Sequence, residues 1–265
     1  MLILVVALLT TGVGLAQTPV APSRAVASCR RGDADACDRA GYAYQYGRGV
    51  AIDLRRAIEL YTRACTRGSL VSCVRVAVMH EHGDGTAVNA VRAVELYRRA
   101  CDGGNLYGCV NLGQLVERGA AGVPRDVPGA LALYRRGCDG GFAGGCTYLG
   151  AALADERSTT PDYPQARALL ERACQAGEMH GCSDLGWLYD QGRGVAQDYT
   201  RAVELYRRAC DGGYAHGCAS LGGLHESGQG VSRDAVAARA LYQRACEGGD
   251  RYGCEQLRRL GAGGT

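Results

Sequence analysis

ACDGGNLYGC, residues 100–109, is one of six close copies of a ten-residue pattern. The others are ACTRGSLVSC (64–73), GCDGGFAGGC (137–146), ACQAGEMHGC (173–182), ACDGGYAHGC (209–218) and ACEGGDRYGC (245–254); a weaker copy, SCRRGDADAC, spans 28–37. The leading cysteines are Cys29, Cys65, Cys101, Cys138, Cys174, Cys210 and Cys246, at spacings of 36, 36, 37, 36, 36 and 36. Eight positions after each stands its partner: Cys37, Cys73, Cys109, Cys146, Cys182, Cys218 or Cys254. All fourteen cysteines of the 265-residue chain belong to the pattern. A fixed period of this length marks an array of about six and a half units, for which a domain count taken from length would mislead.

Each unit reads as two helices. In the unit that starts at Cys65, small and apolar residues recur at helical spacing from about Ser72 to His82 and stop at GDG. A second run follows Asn89, with Ala93, Leu96, Tyr97 and Ala100 on one face. Asn89 aligns with Asp53, Asp126, Asp162, Asp198 and Asp234, so each second helix is expected to open on an Asx N-cap. Three residues after every leading cysteine stands a glycine, from Gly32 to Gly249, which suits a left-handed C′ residue closing that helix. Within the first helix, Gly41, Gly113, Gly150, Gly186 and Gly222 share one position, held by Ala77 in the remaining unit. Glycine costs roughly 1 kcal/mol against alanine inside a helix. Its recurrence therefore predicts a place where a neighbouring helix passes too close for a side chain. No unit buries its apolar face alone, so stacking must make the core.

Each cysteine pair flanks the turn from one helix to the next, where a bridge would staple two antiparallel helices. Closing so small a loop is worth roughly 2.5 kcal/mol in a chain-entropy treatment. Fourteen free buried thiols and structural zinc are the alternatives. The second is short of ligands, because each turn offers two sulfurs and no fixed histidine. Disulfides imply an oxidising compartment, and a periplasmic or secreted location is expected. The segment 1–16, MLILVVALLTTGVGLA, reads as a signal peptide cleaved after Ala16, although no Lys or Arg precedes Arg24. An uncleaved anchor is the alternative, for which the run is short. Residues 17–28 read as a linker and partial cap, and 29–265 as the repeat array with a C-terminal capping helix. After cleavage no stable membrane insertion is expected.

The thirty basic residues are all arginine and the net charge is +3. They alternate with acids through every unit in YRRA-like segments, which reads as a solvated helix face with no nucleic-acid footprint.

The units CASLGGLHESGQGVSRDAVAARALYQRAC (218–246) and CSDLGWLYDQGRGVAQDYTRAVELYRRAC (182–210) resemble the Sel1-like repeat, a relative of the tetratricopeptide repeat. The cysteine-paired form is similar to the secreted cysteine-rich Sel1 proteins of the Helicobacter type and to a mitochondrial intermembrane-space assembly factor. The resemblance covers residues 29 to about 258. Two units depart from it: the third carries an extra residue in GAAGVPRD, and the fourth has ADERSTTPDYPQ in place of the glycine-rich loop. The resemblance implies an all-α, right-handed α-solenoid of helix–turn–helix repeats stapled by seven local disulfides. It also implies a protein- or peptide-binding role, with penicillin binding and weak β-lactamase activity as the alternative. The residues lend that alternative little support, because Ser-x-x-Lys chemistry needs a lysine and the chain has none.

Two further strings were weighed. His80-Glu81-His82-Gly83-Asp84 has the order of a metallo-β-lactamase zinc string, but His80 occupies the slot of Tyr44, Tyr189 and His225, and no other unit repeats the set. Met179 and His180 would be a haem pair without an attachment motif. No metal, cofactor or catalytic residue is therefore assigned.

A binding surface is expected on the first helices, which the resemblance places on a concave face. The positions two, five and nine residues after each second cysteine line one stripe. Along the array these are Arg39, Tyr42, Tyr46; Arg75, Val78, His82; Asn111, Gln114, Arg118; Tyr148, Ala151, Asp155; Asp184, Trp187, Gln191; and Ser220, Gly223, Ser227. Asn111, Gln114, Arg118 and Asp184 are candidates for polar contacts to an extended peptide, with Tyr148 and Trp187, the only tryptophan, as aromatic anchors. The expected partner is a protein or peptide, bound by a monomer.

Overall fold

The computed structural model describes residues 22–155 and 161–262. The expected signal segment, 1–16, lies outside the described residues. The chain divides into two compact units, residues 1–69 and 70–265. The first holds α1 (Pro22–Arg30), α2 (Ala34–Tyr46) and α3 (Leu54–Thr66). The second holds α4 (Leu70–His82), α5 (Ala90–Asp102), α6 (Leu106–Arg118), α7 (Val127–Asp139), α8 (Ala143–Leu153) and α9 (Tyr163–Gln175). It continues with α10 (Met179–Gln191), α11 (Tyr199–Asp211), α12 (Ala215–Ser227), α13 (Ala235–Glu247) and α14 (Arg251–Ala262). The described residues form no strand; one isolated bridge, Ala120–Val123, folds the extra residue of the third unit into a tight reverse turn. The architecture is an all-α solenoid of helix pairs with a period of about 36 residues. Residues 22–28, read as linker and partial cap, lie in α1, and α14 closes the other end of the chain against α13 and α12.

The ends of the helices are set locally. Asp53, Asn89, Asp126, Asp162, Asp198 and Asp234 each accept the backbone N–H three residues on, at 2.9–3.0 Å. Each such cap is worth about 1 kcal/mol. The backbone N–H of the same six residues donates to a carbonyl in the last turn of the preceding helix: Tyr44, His80, Val116, Leu153, Tyr189 or His225. Leu153 accepts from Asp162, so this closure survives in the fourth unit despite its divergent loop. At the other end, Gly32, Gly68, Gly104, Gly141, Gly177, Gly213 and Gly249 all have φ between 85° and 109°. The residue after each glycine donates back to the carbonyl before the leading cysteine, as Asn105 does to Ala100 at 2.9 Å. This turn sets the cysteine Cα atoms 4.5 Å apart in the bridges Cys29–Cys37, Cys101–Cys109, Cys138–Cys146, Cys174–Cys182, Cys210–Cys218 and Cys246–Cys254. Cys65 and Cys73 are likewise disulfide-bonded, and no described cysteine is free.

At the recurring glycine of the first helix the neighbouring helix does come too close for a side chain, and what it lays there is a tyrosine ring. A Cβ at Gly113 would stand 2.6 Å from the ring of Tyr134, and one at Gly41, Gly186 or Gly222 2.7–3.0 Å from Tyr61, Tyr206 or Tyr242. Backbone also meets backbone, at the staple itself: a Cβ at Gly145, next to Cys146, would stand 2.5 Å from the Cys138 nitrogen. The tyrosine rings are buried, and each hydroxyl donates to a side chain four residues beyond the glycine position. The acceptors are Gln45, Glu81, Glu117, Asp190 and Glu226, at 2.7–3.4 Å. Burial of the phenol, then the acceptor carboxylate, raises the pKa of Tyr97 and Tyr134 well above the ordinary tyrosine value. The fourth unit exchanges both partners, with buried Leu170 in place of the tyrosine and buried Ala154 in place of the acid. A hydroxyl without an acceptor, or a carboxylate without a donor, would be costly there.

The arginines divide into two classes. Those expected to be merely solvated include four that tie consecutive helix pairs together. Arg136, Arg172, Arg208 and Arg244 donate to the carbonyls of Cys101, Cys138, Cys174 and Cys210 in the preceding pair, at 2.7–2.9 Å. A guanidinium there satisfies an orphan carbonyl and faces the negative end of the helix dipole.

The exchange in the fourth unit generates a test. Leu170→Tyr alone should lower the unfolding free energy by about 1–3 kcal/mol, because the phenol finds no acceptor at Ala154. Adding Ala154→Glu should recover about 1 kcal/mol or more of that loss. Urea denaturation of the two singles and the double closes the cycle; strict additivity would contradict the tyrosine–acid pairing.

Candidate functional site

The exchange that keeps the fourth unit satisfied also shortens two side chains at once. Above Leu170 and Ala154 lies an open groove of about 480 Å³. Its wall comes from Tyr148, Ala151 and Ala152 of α8 and from Asp184 and Trp187 of α10, with Glu117 of α6 and Asp155 at its edge. The structure therefore brings together Tyr148, Asp184 and Trp187, three of the residues expected from the stripe. Trp187 is partly buried against the apolar cluster that contains Leu170, Leu185 and Leu188. Tyr148 stacks on Tyr134 with ring centres 5.5 Å apart.

Ala151 and Asp155 of the same stripe line this groove too, whereas Asn111, Gln114 and Arg118 are engaged within the protein. Asn111 hydrogen-bonds the Tyr97 hydroxyl and Gln114 that of Tyr148. Arg118 is ion-paired with Glu81. Gln191, Ser220, Gly223 and Ser227 reach a second groove of about 490 Å³, with Asp190, Gln197, Gln229 and Tyr252 around it. Arg39, Tyr42 and Tyr46 belong to the first unit, where the two tyrosine rings pack 4.5 Å apart.

Charge in the first groove is negative. The Asp184 Oδ2 atom is buried and accepts no hydrogen bond. His180 Nε2 lies 3.3 Å from it. Burial raises the Asp184 pKa, against the opposing pull of His180 and His216. Tyr148 is likewise raised, first by burial. His180 itself is sandwiched, stacked on Tyr214 at 5.0 Å and edge-on to Tyr148 at 5.7 Å. The aromatic and acidic walls lie on the stripe that helical spacing defines; the floor lies off it, at Leu170 and Ala154, where one unit changes both members of the tyrosine–acceptor pair.

The remaining strings have packing explanations. Among the described residues no three His, Cys, Asp or Glu side chains are placed to hold a metal ion. His80 sits where Tyr44 and Tyr189 lie beneath Arg56 and Arg201, at 5.8 and 4.5 Å. Burial first, then the charge of Arg92, lowers the His80 pKa. Met179 packs on Gly212, while His180 faces Tyr214.

The His80 environment predicts a pH dependence. Its folded pKa lies below the ordinary histidine value of 6.5, so below that pH the unfolded chain binds the proton more readily. Stability is lost as pH falls from 6.5 toward the folded value. His80→Tyr should remove this component. The difference in urea midpoint between variant and parent should widen between pH 7.5 and pH 5.5, and an unchanged difference would contradict a lowered His80 pKa.

The Sel1 repeat family model matches residues 34–69, 70–105, 106–142, 143–178, 180–214 and 215–250. No curated protein matches the chain. Among solved structures, c5321, a protective antigen present in uropathogenic Escherichia coli strains, superposes with a TM-score of 0.79 at 26% identity. That match covers 93% of this chain, which spans about half (53%) of the antigen. A Sel1 repeat protein from Oxalobacter formigenes gives 0.74 at 23% identity, over 81% of this chain and 86% of that one. Immunity protein Pa5087 from Pseudomonas aeruginosa gives 0.59 at 19% identity, over 83% of each chain, and shares the fold. With six consecutive matches across most of its length, and with helix pairs, caps and turns in the same register, the chain belongs to the Sel1-repeat family.

Proposed function

We propose that the protein is a non-catalytic, extracytoplasmic scaffold that binds an extended protein segment along the first helices of its second unit. The observation that carries this reading is the succession of two open grooves that share α10. In that unit α6, α8, α10, α12 and α14 each touch the next, while consecutive second helices make no comparable contact. That closer approach supports the first helices as the inner layer, the side on which repeat arrays offer an extended surface. An aromatic wall with few rotatable bonds is suited to anchoring a partner. The oxidised cysteines fit an oxidising compartment, in keeping with the apolar segment 1–16. No helix among the described residues is long and apolar enough to cross a membrane.

Trp187 supplies the readout, because it is the only tryptophan and lines the groove. A partner isolated from periplasmic extract should shift its fluorescence. Trp187→Ala with Tyr148→Ala should weaken binding by about thirtyfold or more, as expected for anchors worth about 2 kcal/mol or more. Arg207→Ala, on the exposed face of α11, should leave it unchanged. Equal affinity of all three proteins would rule out the groove as the binding surface. In the same preparation a chromogenic cephalosporin should not turn over. A kcat of about 1–10³ per second that is lost in His82→Ala would establish catalysis instead.

A further inference from the structure

We propose that the groove over Leu170 receives the side chain of an arginine carried by the bound segment, so that the partner presents a basic residue at this point. The inference rests on the peptide-binding reading and specifies what that surface selects.

The chain contains its own precedent. Glu81 accepts the Tyr97 hydroxyl on one oxygen and the Arg118 guanidinium on the other. Glu226 accepts the Tyr242 hydroxyl and the Arg259 guanidinium. In both places a buried tyrosine and an arginine from a later first helix share one carboxylate. Glu117 keeps the tyrosine half of this arrangement, from Tyr134 at 2.7 Å. The residue that corresponds to Arg118 one unit later is Asp155, an acid, and among the described residues no arginine pairs with the Glu117 side chain. Among the described residues Glu117 thus keeps the acceptor's place and lacks the cation.

A second observation points the same way. The buried Asp184 Oδ2 accepts no hydrogen bond, with His180 Nε2 as its neighbour at 3.3 Å, so the carboxylate has lost solvent without gaining a well-directed donor. A cation in the groove would offset that cost. The floor and walls suit the rest of an arginine: Leu170 and Ala154 offer apolar surface to its methylenes, and the rings of Tyr148 and Trp187 offer faces to the guanidinium. Arginine is favoured over lysine because its planar fork can meet two carboxylates at once while stacking on a ring.

The test uses the full chain with disulfides intact and a capped peptide, Ac-SASRASA-NH2, followed through Trp187 fluorescence. Its counterpart replaces the arginine by citrulline, which keeps the shape and removes the charge. The arginine peptide should bind saturably, and the citrulline peptide about tenfold or more weaker. Glu117→Gln retains an acceptor for Tyr134 and so preserves the packing; it should weaken the arginine peptide alone, by about tenfold. Asp155→Arg should place here the cation that Arg118 supplies to Glu81, and block the site. Equal binding of the two peptides, abolished by Trp187→Ala, would overturn the cation site and leave the peptide groove standing. No saturable change at millimolar arginine peptide would also overturn it; the groove itself is then judged separately by the Trp187 and Tyr148 variants with the natural partner.

Discussion

The interaction on which the rest of this structure depends is a tyrosine ring laid on a residue with no side chain. Five of the six helix pairs place a buried phenol from the second helix against the first, and four of those rings lie on glycine. The glycine sacrifices helix propensity, roughly 1 kcal/mol. It gains the close approach that a ring of this size needs, and full burial of the ring is worth more than that loss. Because a phenol cannot be buried without an acceptor, the ring dictates an acceptor one turn further along the first helix, an acid in four of the five pairs and Gln45 in the other. That acid then lies at the surface between units, where Arg118 and Arg259 reach Glu81 and Glu226. A packing requirement inside one pair thereby becomes an electrostatic rule between pairs.

The cysteines act on the same geometry from the other end. The glycine turn, the backbone bonds across it and the disulfide all fix the angle at which one pair hands the chain to the next. The guanidinium bonds to the leading-cysteine carbonyls add a tie across about 34 residues of sequence. These ties couple neighbours only, as expected for a quasi-one-dimensional array whose stability is the sum of units and interfaces. Disulfides constrain the unfolded chain locally, and the arginines act on the folded stack, so the two devices are complementary.

In such an array a binding site arises most easily where a unit breaks the rule without breaking the fold. The fourth unit does so by exchanging tyrosine and acid together for Leu170 and Ala154. The pair remains satisfied because both polar groups disappear, and the volume they would have filled becomes the groove beside Trp187. The surrounding carboxylates of Glu117 and Asp184 belong to neighbouring units that still follow the pattern. The site is therefore a property of three successive first helices, and no single repeat contains it.

The sequence by itself determined the period, the two-helix unit, the caps at Asp53 through Asp234, the left-handed glycines and the pairing of the cysteines. Each of these is a short-range matter of backbone conformation and hydrogen bonding within about ten residues, so it is written in consecutive positions. The sequence also placed Tyr148, Asp184 and Trp187 on one helix stripe, because helical spacing alone assigns a face. Only the tertiary structure decided what the recurring glycine meets, which arginines bond carbonyls and which residues of the stripe remain open to a partner. Asn111 and Gln114 share the stripe with Trp187, yet tyrosine hydroxyls from neighbouring helices engage them. The groove floor comes from Leu170 and Ala154, sixteen positions apart in the sequence. Such choices depend on distances between elements, which packing sets and which no local pattern records.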